Sequence, residues 1–95
     1  MTIAEFEAAG EVRWKGVLLA LWLDGQDDWE RAHAVAQDIE DCDGAWVHAY
    51  LHRKEGDEAN ATYWYRCAGR PMAKGAVRTE WEAMVLELLS RSEGV

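Results

Sequence analysis

Proline occurs once in the 95 residues, at Pro71, and cysteine twice, at Cys42 and Cys67. With its single proline among Gly69, Arg70, Lys74 and Arg78, the chain has one stretch that reads as a linker, residues 69–78. Two cysteines cannot build a disulfide framework, and neither belongs to a Cys-x-x-Cys pair. A reducing, cytoplasmic setting is therefore expected, with both thiols packed as small buried or half-buried groups. Long apolar runs are missing as well. The longest, Val17 to Leu23, falls far short of the roughly 20 residues that span a bilayer, so no membrane segment is expected. Glu5, Glu7 and Glu11 precede the first basic residue, the reverse of a secretory leader, so export is not expected either.

Basic residues are scarce too. Ten Lys and Arg stand against eighteen Asp and Glu, for a formal net charge of −8. The excess is confined to residues 1–43, where eleven acids meet three bases; the remainder carries seven of each. An acidic chain repels a polyanion instead of releasing its counterions, so nucleic acid is not an expected partner.

What the chain does contain is apolar surface. About half of the residues are hydrophobic and six are tryptophan, enough for one small core and one domain over residues 1–95. Sustained alternation is absent, Val and Ile are few, and Ala, Leu, Glu and Arg dominate, which predicts an all-α fold. Thr2 and Glu5 stand at capping-box spacing and open a short helix that Gly10 ends. From about Val12 to Leu23, Trp14, Val17, Leu18, Leu21 and Trp22 recur every three or four residues as one stripe. Asp24 and Gly25 break it, and Asp27 or Asp28 can cap a helix over about 29–40 that turns Trp29, Ala32, Ala36 and Ile39 inward. A further helix is expected from Ala45 to Glu55, ended by Gly56. Asp57 then caps another that runs to about Ala68, where Gly69 and Pro71 stop it. Thr79 and Glu82 form a second box before a last helix with Trp81, Met84, Val85, Leu88 and Leu89 on one face.

Sliding the chain by 29 positions matches Ala20 with Ala49, Asp28 with Asp57 and Ala32 with Ala61. Small residues at those places let paired helices approach closely, and the aspartate opens the second helix of each pair. The pattern reads as two stacked antiparallel helical hairpins, joined by a C-terminal helix and a short N-terminal one. In the second unit Ala49, Gly56, Asp57, Ala61, Tyr65 and Ala68 resemble a tetratricopeptide or Sel1-like repeat. The stretch around His52, Arg53, Glu55, Asp57, Asn60, Ala61, Tyr63 and Trp64 is similar to a His-Arg-x-Glu-x-Asp…Asn-Ala-x-Tyr-Trp motif of small bacterial and fungal proteins. These resemblances imply a helical fold and no particular chemistry.

Two groups of residues could carry a function. Arg53, Asn60, Tyr63, Trp64 and Arg66 bring aromatic rings and guanidinium groups to one hairpin, a combination common at binding surfaces. The leading expectation is thus a non-enzymatic interaction module that takes a peptide, a partner protein or a second copy of itself, with no cofactor. Trp64 beside Ala61 and Ala68 suits the hairpin interior better than the surface. The alternative is a small metal-binding protein or enzyme. His48 and His52 are four apart on a helix with Glu55 three further on, a spacing that can share a zinc ion, with a carboxylate or His33 to complete it. The same imidazoles suit a structural polar network with Asn60 or Tyr63.

Overall fold

A computed structural model describes residues 1–93, and every regular element among them is helical. α1 (Ile3–Ala8) carries the expected capping box: the Thr2 hydroxyl accepts from the Glu5 amide at 3.1 Å, and the Thr2 amide donates to the Glu5 carboxylate at 2.9 Å. Its one buried side chain, Phe6, packs on Trp14 at 4.7 Å and edge-on to Trp81 at 5.9 Å. Burying that ring contributes roughly 1.5–3 kcal/mol, which anchors an otherwise marginal six-residue helix.

The continuous helix expected from Val12 does not form. Glu11–Arg13 makes a single 3-10 turn, Trp14 and Lys15 are extended, and Gly16 takes a left-handed φ of 59°. Trp14 leaves the helical stripe because its ring has a better partner in Phe6, and Val12 is left 96% exposed. α2 (Gly16–Gly25) then runs two residues beyond the expected stop, with Ala20, Leu21, Leu23 and Asp24 buried. α3 (Trp29–Gln37) opens on Asp28, whose carboxylate accepts from the Arg31 amide at 3.2 Å, and buries Ala32 and Ala36. It ends three residues short of Glu40.

The reason lies in the joint with the next helix. α4 (Cys42–Glu55) begins earlier than expected, capped by Asp41, and its Gly44 lies so close to Ile39 that an added methyl group would stand 2.1 Å from the Ile39 carbonyl oxygen. Only glycine fits there, and the chain must leave α3 in time to reach it. α4 is buried from Gly44 through His52, so it is the central helix, covered on all sides, as the lack of a single apolar stripe requires. Gly56 at φ 89° turns the chain, and Asp57 caps α5 (Glu58–Ala68), which lays Ala61, Tyr65 and Ala68 inward. α6 (Val77–Glu93) starts two residues before Thr79, so the expected Thr79–Glu82 box lies inside the helix. The Ala76 carbonyl already accepts from the Glu80 amide, and Arg78 in the first turn lies over Trp81 at 4.3 Å while pairing with Glu7 of α1. The expected apolar face of α6 is buried throughout.

α2 packs on α3 and α4 on α5, α3 lies against α4, and α6 crosses α2 and α4 with α1 over its start. Polar contacts pin these layers. The Trp81 indole donates to the Leu21 carbonyl at 2.9 Å. Asp24, 1% exposed, accepts from the Tyr50 hydroxyl at 2.6 Å and from Lys54 at 2.9 Å, which ties α2 to α4. Glu80 receives Arg53 from α4 and Tyr65 from α5. Both cysteines, expected to be at least half-buried, are exposed and unbridged: Cys42 opens α4 and Cys67 lies in the last turn of α5, with the Cys42 thiol 3.9 Å from the Cys67 carbonyl oxygen.

Candidate metal centre

The chain has three histidines, and the fold brings all of them to one place. α4 supplies His48 and His52, one turn apart and stacked at 4.8 Å; both are buried, at 7% and 9% exposure. α3 supplies His33, whose ring stands edge-on to both, 4.7 Å from His48 and 5.1 Å from His52. One coordinating nitrogen of each ring lies within 4.8 Å of the other two, and the Nε2 atoms of His33 and His48 are 2.9 Å apart.

Two tryptophans hold these rings. Trp29, one turn before His33, stacks on it at 4.9 Å and 9°, and its indole N–H donates to the Leu51 carbonyl at 2.8 Å. Trp64 of α5 stacks on His48 at 4.1 Å and 20°. His33 and His48 thus each have an indole face that fixes the plane of the ring, whereas His52 meets Trp29 only edge-on, at 6.2 Å.

The protonation states follow from these surroundings. Burial pushes His48 down to about 4, and the neighbouring His33 and His52 add to the effect. His33 is lowered as well, first by burial and then by His52, with Glu55 opposing. Near neutral pH these two rings are uncharged, so a single hydrogen lies between their Nε2 atoms. His52 differs: its Nδ1 lies 2.6 Å from Glu55 Oε1. A carboxylate only accepts, so Nδ1 of His52 donates to it. That is the arrangement in which a carboxylate orients a metal-ligating histidine.

The donor set suits a borderline divalent ion. Zn–N bonds of about 2.0–2.1 Å in a tetrahedron place nitrogens about 3.3 Å apart. The present nitrogens bracket that spacing, so ring shifts on the order of 1 Å would suffice. His52, Glu55 and Asp57 also converge, but both Asp57 oxygens are engaged by Asn60, through its backbone amide at 3.2 Å and its side-chain amide at 2.7 Å. Those bonds hold the Asp57 carboxyl below its ordinary range.

Of the residues singled out in the sequence, His48 and His52 meet as the spacing requires. Glu55 takes Nδ1 of His52, and His33 joins the pair as a third imidazole. The other group is dispersed in role. Arg53 donates to Glu80 at 2.9 Å and to the Gly75 carbonyl, Asn60 turns back on Asp57, and Trp64 is half-buried under His48. Tyr63, 58% exposed and edge-on to Trp64, and Arg66 face solvent. Trp29 was visible in the sequence only as a core residue; its spacing of four from His33 is the signal that pairs them.

No family model, curated protein or solved structure matches the chain.

Proposed function

We propose that this protein binds a zinc-class divalent ion through His33, His48 and His52. The observation that carries the reading is the convergence of every histidine in the sequence on one point, His48 and His52 buried and His33 half-buried, two of the three neutral and the third oriented by Glu55. Neutral imidazoles bind without first losing a charge, and imidazole suits zinc, nickel and copper. The acidic excess of residues 1–43 adds a field that draws cations. The ligands belong to α3 and α4, so a bound ion would join the two hairpins, which we read as stacked in the tetratricopeptide-like manner. Short turns after α2 and α4, and small residues at Ala32, Ala36, Ala49 and Ala61, support that reading. A cytoplasmic setting fits two exposed thiols.

Metal analysis and calorimetry of the purified chain decide the matter. One zinc per chain is expected, falling below a tenth when His33 or His48 is replaced by alanine with the circular dichroism unchanged. A wild-type chain that takes up no zinc, nickel or copper overturns the proposal.

A protein or peptide contact is the second reading, favoured by the exposed Tyr63 ring beside Trp64 and Arg66. It gives this surface a use that the metal centre does not need.

A further inference from the structure

Resting on the metal reading, we infer that the centre keeps a fourth, exchangeable coordination position that takes a neutral or cationic donor molecule from the adjoining cleft. Among the described residues no fourth His, Cys, Asp or Glu donor lies within reach of all three imidazoles. Glu55 is committed to Nδ1 of His52. Three nitrogen ligands leave a tetrahedral ion one position short, and sites that are closed for structure have four protein ligands.

The missing ligand has somewhere to come from. A cleft of about 440 Å³ runs between the α3–α4 joint and α5, and His48 and Trp64 are part of its wall. Water takes about 30 Å³ in the liquid, and small-molecule sites begin near 300 Å³, so the cleft has room for more than solvent. Glu40 and Asp41 line it, with Gln37, and no lysine or arginine does. Carboxylates in the wall repel phosphate and carboxylate groups, whereas an uncharged nitrogen or carbonyl donor, or one on a cationic molecule, enters without that penalty. The ligand class is thus a small uncharged or cationic amine, amide or azole with one free donor atom.

The test uses the full chain loaded with cobalt(II), whose visible bands report its ligands. Imidazole is the neutral probe, and azide and phosphate are the anionic ones, with retained cobalt measured throughout. Imidazole is expected to shift the bands saturably while cobalt stays bound, and the anions to need at least tenfold higher concentrations. Replacing Glu40, which contributes no ligand, with lysine should narrow that gap several-fold. Cobalt-loaded protein whose bands ignore imidazole overturns the open position, and azide or phosphate binding as tightly as imidazole overturns the ligand class. Failure of the chain to take up cobalt or zinc at all overturns the metal reading itself, a separate outcome.

Discussion

His48 shows how one side chain can join stability to chemistry. Its imidazole is buried between Trp64 and two other histidines, which lowers its pKa from an ordinary 6.5 to about 4. The unfolded chain therefore binds a proton that the folded one refuses between these values. Stability linked to His48 is complete above pH 6.5, declines as pH falls toward 4, and changes no further below that. We expect the metal-free protein to lose about 2–3 kcal/mol from this source between pH 7 and 4.5. Carboxylates held low by their partners, such as Glu87 between Arg70 and Arg91, act in the same direction. Urea melts of wild type and His48→Gln at both pH values separate the contributions: the variant should show a slope smaller by about that amount. Equal slopes would mean that His48 titrates normally.

The joint between α3 and α4 sets the distance from His33 to His48. Gly44 meets the Ile39 backbone so closely that a methyl group must push the two helices apart, and backbone cannot yield as a side-chain tip would. Gly44→Ala is expected to cost about 1–3 kcal/mol in a denaturant melt and to weaken zinc binding at least tenfold, because the ligands are on the two separated elements. Gly56→Ala is a useful contrast. Its strain comes from a φ of 89°, with open space around the position, so it should lower stability while zinc affinity holds in the molecules that fold. The same distinction explains which elements could be read in advance. Thr2 with Glu5, and Gly56 with Asp57, act within one turn of the chain, and both stand where the sequence puts them. Gly44 looks like an ordinary turn residue until Ile39 is brought against it.

Across the whole molecule, a metal ion would act as a staple on a domain with little core to spare. A ligand that binds only the folded state at a hundred times its dissociation constant contributes about 2.7 kcal/mol. For a chain of this size that corresponds to a rise in Tm of roughly 10–20 °C. We expect that rise with zinc in differential scanning calorimetry, and its absence in His33→Ala. An equal rise in the variant would place the ion elsewhere, for example on the His52, Glu55 and Asp57 group. Among the described residues no helix is long and apolar enough to cross a membrane.

Caps, turns and apolar stripes depend on neighbours a few residues away, and for that reason the helical character, the turn at Gly56 and the inner face of α6 follow from the order of residues alone. The partners of Trp14, Arg53 and His33 lie far along the chain or on another helix. Trp14 abandons its stripe for Phe6, Arg53 turns inward to Glu80, and His33 reaches His48 across fifteen positions. Helical periodicity says which way a side chain points around its own axis and nothing about the depth and angle at which two helices cross. Those were decided by packing, at contacts such as Gly44 on Ile39 and Trp64 on His48, and the histidine centre exists only because of them.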